Sequence, residues 1–486
     1  MSSKILINAS DPEECRIAKV KDSKLEEFHI ESAAREITQG NIYKGIITRV
    51  EPGLQSVFVD FGAERHGFLQ RSEIHSDYFQ DNDSGSHSIE KIVKRGQELF
   101  VQVTKDPVMS KGAMITTYIS LPGRYIVLMP GSKNRGISRK IEDEKERKRL
   151  KDIINSLKLP DGFGIILRTA GVNCTKTLIS RDLKYLLRLW KNINKKGIDE
   201  GAPALLYKER NLALRSIRDY FTPDVREILI DDEAVYQEVK DFVHIVSPRN
   251  TRVVKRYKGE RPIFTKYQLE DQLASVFEKR VALKSGGSIV IDQTEALVAI
   301  DVNSGKAIRK KSVEQTAYLT NTEAAEEIAR QLRLRDLGGL IVIDFIDMKD
   351  TKHKSEVERG LKKNMKQDKA RTKVGRISKF GLMEMSRQRI RPSIEFGSHI
   401  PCDHCGGKGL MPSTETLALG FLRKLQLETL KDEISVVKGI VPFEVADYLL
   451  NRKRKDILEL EMRHDISIRI EGDSRMLPNE SKIIFE

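Results

Sequence analysis

Apolar and polar residues alternate with a strand period through residues 1–34, in KILINAS, CRIAKVKD and LEEFHIES, with polar turns between them. From Gly40 the texture changes. Strands over 42–50 and 55–61 flank a Pro52-Gly53 turn, and a loop of small polar residues, DNDSGSHS (81–88), leads to a further strand in GQELFVQVTKDP. That pattern predicts a small antiparallel barrel of the OB type. Mixed structure follows. RYIVLMP is apolar, SRKIEDEKERKRLKDIINSLKLP is a charged amphipathic helix ended by Pro160, and DGFGIILRTAG is a strand that stops at 168–171. ISRDLKYLLRLWKNINKK is another helix, with Leu183, Leu186, Leu187 and Trp190 on one face. Near the C-terminus, STETLALGFLRKLQLETLKD is amphipathic through Leu417, Phe421 and Leu425, and the remainder completes a small α/β domain suited to packing and oligomer contacts.

The segment 281–347 is the most informative. SIVIDQTEALVAIDVN reads as a hairpin turning near Thr294 and Glu295. Ser312 and Gln315 form a capping box for a helix over about 312–335, which Gly338-Gly339 stops before the strand GLIVIDFIDM. Two apolar runs here, 297–300 and 340–343, end on Asp301 and Asp344. Both read as core strands, and an unpaired buried carboxylate is costly, so each Asp is expected to have a partner. Successive strand side chains alternate faces, so Asp301 and Asn303 share one. A strand–helix–strand unit sets its two strands side by side, which brings Asp344 near Asp301. Two carboxylates and an amide oxygen make a hard oxygen site that suits magnesium better than zinc. The plainer alternative has Asp301 capping a turn and Asp344 pairing with a nearby arginine.

Composition narrows the field. At 486 residues the chain is too long for one core and predicts several domains. Its 39% hydrophobic and 32% charged residues suit a globular protein, and the net charge of +14 favours a polyanion, nucleic acid before a membrane surface. Residues 352–391 carry 14 Lys or Arg against 4 Asp or Glu and include FGLMEMS, which reads as a basic face of a folded domain. No apolar run approaches the ~20 residues of a membrane span. The first residues do not read as a secretory signal, and four cysteines make no disulfide framework, so a cytoplasmic location is expected.

LVAIDVNSGKA, NTEAAEEIARQLRLRDLGGLIVIDFIDM and SKFGLMEMSRQRIRPS closely resemble the catalytic region of the ribonuclease E/G family, and the resemblance runs in order along essentially the whole chain. It implies an α+β multidomain architecture. An RNase H-like domain is split between 1–34 and 214–276. Between its parts lie an OB-type barrel (35–123) and a 5′-phosphate sensor (124–213). A DNase I-like catalytic domain (277–398), a zinc link (399–412) and a small C-terminal domain (413–486) follow. It implies magnesium on Asp301 and Asp344, with Asn303 positioning the ion or the scissile phosphate. The implied reaction is endonucleolytic cleavage of A/U-rich single-stranded RNA, leaving a 5′-monophosphate and a 3′-hydroxyl, in ribosomal and transfer RNA processing and messenger decay. Strand alternation turns Asp347 away from Asp344, and it is read as structural.

On the barrel the resemblance points to Phe58, Phe68 and Lys111 as RNA contacts, rings for stacking and a lysine for phosphate; Phe58 reads equally well as core. Cleavage stimulated by a 5′-monophosphate implies a pocket of Gly123, Val127, Arg168 and Thr169. There Arg168 offers a fork and Thr169 a hydroxyl, while Gly123 lets backbone approach. From residue type alone, Arg168 reads as a surface arginine paired with an acid.

PCDHCGGKG (401–409) sets Cys402 and Cys405 at metal-knuckle spacing, but tetrahedral zinc needs four ligands. A redox dithiol, a strained local site with His404 and a zinc shared between two chains all remain open on spacing. The resemblance implies the shared zinc and hence a homo-oligomer, dimer or dimer of dimers; Asp403 stands where the family motif carries Pro. The length resembles the short members of the family, with no degradosome scaffold or membrane anchor expected. The rivals from other classes are a non-catalytic RNA-binding protein and a DNA nuclease.

Overall fold

The computed structural model describes residues 3–32, 38–79, 88–107, 112–172, 174–305, 312–389, 393–394, 399–430 and 435–485. Lys111 and Lys306 lie outside the described residues. The chain divides into two compact units, Met1–Glu395 and Phe396–Glu486.

A six-stranded sheet carries the Asp301 and Asp344 strands. Its order is Arg280–Ala282, Ser288–Gln293, Leu297–Asn303, Gly339–Asp344, Leu382–Arg387 and Thr372–Ile377. The two middle strands are parallel and are joined by the helix Val313–Leu334. Ser312 caps that helix by accepting the Gln315 amide hydrogen, as the capping-box spacing predicts. Val298, Ile300, Val302, Ile341 and Ile343 point toward the core beneath this helix and the helix Thr351–Met365. The alternate positions, Asp301, Asn303, Leu340 and Asp344, are exposed on the other face.

This overturns one expectation: the strands are buried on one side only. Asp301 and Asp344 therefore stay hydrated and need no buried partner.

The long helix also packs on a second sheet, ordered Val254–Arg256, Val225–Ile230, Ser3–Asn8, Glu14–Lys21 and Lys24–Ser32. Residues 3–32 and 225–256 thus share one sheet although some 190 residues separate them. An ionic seam lines the contact: Arg333 meets Glu26 at 2.8 Å, and Lys24 meets Glu327 at 3.3 Å.

Within the intervening segment, Ile42–Glu51 pairs with both Ser56–Asp60 and Glu98–Lys105, which closes a barrel around Ile47, Val57, Val59, Leu69, Leu99 and Val101. The strand Ala204–Tyr207, far along the chain, adds to its edge. A four-stranded sheet including Ile126–Pro130 and Phe163–Leu167 packs against the helix Lys176–Asp199. The charged helix is shorter than its sequence pattern. It runs over Glu144–Asn155, because Asp143 caps it by accepting the Lys145 and Glu146 amide hydrogens.

The second unit packs the helices Thr414–Glu428 and Phe443–Arg452 on a three-stranded sheet, with Phe421, Leu425, Val437, Val441 and Leu449 in its core.

Candidate active site and nucleic-acid interface

Asp301 and Asp344 are direct register partners at the ends of the parallel pair. Parallel neighbours stand about 4.8 Å apart, so the two carboxylates leave one face side by side. The Asn303 amide nitrogen donates to Asp301 Oδ2 at 2.7 Å, which leaves its carbonyl oxygen free of that bond. Two carboxylates and an amide oxygen at a solvent-open strand end fit magnesium, which uses one or two carboxylates and keeps several waters. Among the described residues no cluster of three or more His, Cys, Asp or Glu side chains forms a metal site.

The sequence reasoning missed what holds this strand end. Asn321, fully buried on the long helix, donates its amide nitrogen to the Ile346 carbonyl at 2.8 Å and accepts the Ile346 amide hydrogen at 3.0 Å. In the first turn of the same helix, Glu314 accepts the amide hydrogens of Lys349 and Asp350. It also meets His353 Nδ1 at 2.9 Å. The Lys349 amide and the His353 contact hold its carboxyl down at about 2. The helix thereby grips the segment directly after Asp344 at two places. The signal available was an amide set among the small apolar residues Ala317, Ala324 and Ala325, since a buried amide needs partners. Asp347, read as structural, is exposed.

On the barrel, Phe58 and Phe68 are cross-strand partners with ring centroids 5.8 Å apart, edge to face. Both are half-buried, and the Arg49 guanidinium lies 4.6 Å from the Phe58 ring centre. The two rings therefore sit together outside the barrel core.

The structure also brings Gly123, Val127, Arg168 and Thr169 together. Val127 pairs with Ile166, and the Arg168 backbone N–H donates to the Tyr125 carbonyl at 2.7 Å. The Arg168 guanidinium donates to the Gly123 carbonyl and to Asp219 Oδ1, each at 2.6 Å. Burial would raise the Asp219 carboxyl, but Arg218, Arg168 and Lys369 hold it well below the usual range. Arg168 is thus aimed by two acceptors and stays partly exposed, with exposed Thr169 beside it.

Gly123 also has a close neighbour that the sequence did not suggest. The group that approaches it is Asp182, whose carboxylate accepts the backbone N–H groups of Arg124, Tyr125 and Ile126. A Cβ on Gly123 would stand 2.6 Å from Asp182 Oδ2. Burial raises the Asp182 carboxyl against the pull of those donors.

In the second unit, Cys402 is exposed and Cys405 half-buried. The Gly409 N–H donates to Cys405 Sγ at 3.3 Å, and this contact leads in lowering the Cys405 thiol. Gly406, Gly407 and Gly409 all take positive φ, which is why the knuckle is written in glycine. An exposed thiol beside a thiolate-stabilising loop fits half of a tetrahedral zinc site.

Residues 120–390 match the model of the ribonuclease E/G family. The chain belongs to that family. Residues 36–107 match the S1 RNA binding domain, an OB-type barrel, and 401–485 match the thioredoxin-like domain of ribonucleases E and G. Ribonuclease E of Haemophilus influenzae is 48% identical over 97% of this chain and 51% of its own length. For ribonuclease E of Escherichia coli K12 the values are 47%, 95% and 44%. Ribonuclease G of Escherichia coli K12 is 38% identical over 87% of this chain and 88% of its own length. The chain therefore spans about half the length of these ribonuclease E relatives and most of a ribonuclease G. As a family member it places the matched S1 barrel and the carboxylate sheet in one compact unit. Among the described residues, no helix is long and apolar enough to cross a membrane.

Proposed function

We propose that this chain is a magnesium-dependent, single-strand-specific endoribonuclease that cuts A/U-rich RNA, faster when the 5′ end carries a monophosphate. The observation that carries the reading is the register of Asp301 with Asp344, with Asn303 bonded to the first. In this reading Asp301 and Asp344 would hold the ion, and Asn303 would position the ion or the scissile phosphate. Magnesium held there would supply Lewis-acid chemistry to a phosphoryl oxygen and to the attacking water. Phe58 and Phe68 offer stacking faces beside Arg49, a sequence-tolerant way to hold an unpaired strand. The five-stranded sheet formed by 3–32 and 225–256 is read as RNase H-like and the six-stranded sheet as DNase I-like, with the domain limits given by the sequence. Processing of ribosomal and transfer RNA precursors and messenger decay, in the cytoplasm, complete the reading. Cleavage of matched RNA and DNA oligomers, with magnesium and with chelator, tests it. Uncut but bound RNA would leave a non-catalytic RNA-binding protein.

Gly123, Val127, Arg168 and Thr169 form the 5′-phosphate pocket in this reading, and a monophosphate would complete the partly occupied Arg168 fork. Arg168→Ala removes the charged donors while leaving Asp301 and Asp344 untouched. The expected result is loss of the rate difference between 5′-monophosphate and 5′-hydroxyl RNA, with 5′-hydroxyl RNA cut as before. A variant that keeps the full preference would overturn the pocket assignment.

Zinc shared between two copies through Cys402 and Cys405 is the proposed oligomer link. Cys402→Ala is expected to lower both the bound zinc and the mass in solution. Unchanged zinc content and mass would end that idea.

A further inference from the structure

The turn joining Thr372–Ile377 to Leu382–Arg387 is SKFG, residues 378–381. It is tightly built. The Ser378 N–H donates to the Leu382 carbonyl at 2.8 Å and the Gly381 N–H to the Ser378 carbonyl at 3.2 Å. Ser378 Oγ accepts the Phe380 N–H at 3.2 Å, and Gly381 takes φ +83°. At its tip Phe380 is 75% exposed, the most exposed Phe, Tyr or Trp among the described residues. A lone exposed apolar side chain is ordinary and needs no explanation. Its position makes this one different.

Leu382, two residues on, is the register partner of Asp344. A Cβ on Gly381 would lie 3.3 Å from Asp347 Oδ1 and 3.6 Å from the Phe345 carbonyl oxygen. The ring is therefore presented by a rigid hairpin at the end of the sheet where both metal-binding carboxylates emerge. Lys379 Nζ lies 5.3 Å from the ring centre, and Lys373 and Arg376 are exposed along the strand that leads to the turn. An aromatic face among cations, beside a phosphodiester-cutting centre, matches the chemistry of single-strand binding, where bases stack on rings and lysines meet phosphates.

We propose that Phe380 stacks on an unpaired base flanking the scissile phosphate and so helps to set where the strand is cut. The inference rests on the reading of Asp301 and Asp344 as the cutting site. It adds a base contact at the bond that is broken, apart from the barrel rings. Stacking on any base is sequence-tolerant, and a turn this close to the carboxylates selects for a base that can be splayed out. Paired bases cannot meet that requirement, so the same ring disfavours duplex at the cut.

The test uses a 5′-monophosphorylated single-stranded RNA with one dominant cut, and versions with an abasic nucleotide at each of the positions flanking it. Wild type, Phe380→Ala and Phe380→Tyr are compared by kcat/KM, with circular dichroism as a check on folding. Phe380→Ala is expected to lose roughly tenfold, and Phe380→Tyr to keep most of the rate. At the stacked position the abasic RNA should slow wild type by a similar factor and slow Phe380→Ala no further. The stacking inference alone is overturned if wild type cuts and Phe380→Ala cuts as fast. It is equally overturned if the alanine and abasic losses multiply at every position. A wild type that leaves the RNA uncut overturns the nuclease reading and the stacking with it.

Discussion

Asp301→Asn and Asp344→Asn will each abolish magnesium-dependent cleavage while leaving RNA binding nearly intact. The two side chains are adjacent across a parallel pair, so one ion meets both, and removing either charge weakens the site directly. A metal held at a phosphoryl oxygen contributes several kcal/mol of transition-state stabilisation, so the loss in rate is on the order of 10³-fold or more. Folding should be unaffected, because both residues are exposed and Asn is nearly isosteric with Asp. RNA binding should persist because the barrel rings and the basic surface are unchanged. Single-turnover cleavage of labelled RNA, paired with a filter-binding measurement in chelator, reads both quantities. Retained cleavage in either variant would remove the metal site from this position.

The largest effect on stability is expected from Asp368→Leu. Arg387 and Asp368 are 3% and 2% exposed, and they meet through two bonds of 2.7 and 3.2 Å. Arg387 also donates to the Leu337 carbonyl at 2.7 Å, and Asp336 lies 3.8 Å away, too far to replace the lost hydrogen bonds. Breaking such a pair leaves a buried guanidinium without its carboxylate and costs about 3–5 kcal/mol. Replacing both members by apolar residues removes the uncompensated charge, so Asp368→Leu with Arg387→Met should recover most of that loss. Denaturant unfolding followed by circular dichroism distinguishes the two variants. Equal stability of the single and double variants would show that the pair is not what holds this strand edge. The pair also has neighbours that matter: Lys140 Nζ donates to the carbonyls of Asp368 and Ala370, and Lys369 donates to the Asp219 carbonyl. Asp219 is the carboxylate that aims Arg168, so this segment joins the surroundings of Arg168 to the carboxylate sheet through direct bonds.

Much of this protein was legible in local pattern. The hairpin at 288–303, the capped helix beginning after Ser312 and the shared face of Asp301 and Asn303 follow from periodicity and capping chemistry, which act over a few residues. The glycines of the Cys402–Cys405 knuckle follow from backbone conformation in the same way. What tertiary structure alone decided are the pairings between distant segments. These include the parallel register that sets Asp301 beside Asp344 and the Asn321 grip on Ile346. They also include the Asp182 carboxylate under Gly123, the Asp219 partner of Arg168, and the meeting of 3–32 with 225–256 in one sheet. For Asn321, Asp182 and Asp219 the physical reason is that a buried polar atom demands a partner, and sequence names the demand without naming that partner; the register and the shared sheet are set by contacts between segments far apart in sequence. The expectation that Asp301 and Asp344 would be buried failed for a related reason. An apolar run records that a strand is flanked by core but not that its other face lies open, and that openness leaves the carboxylates free for an ion.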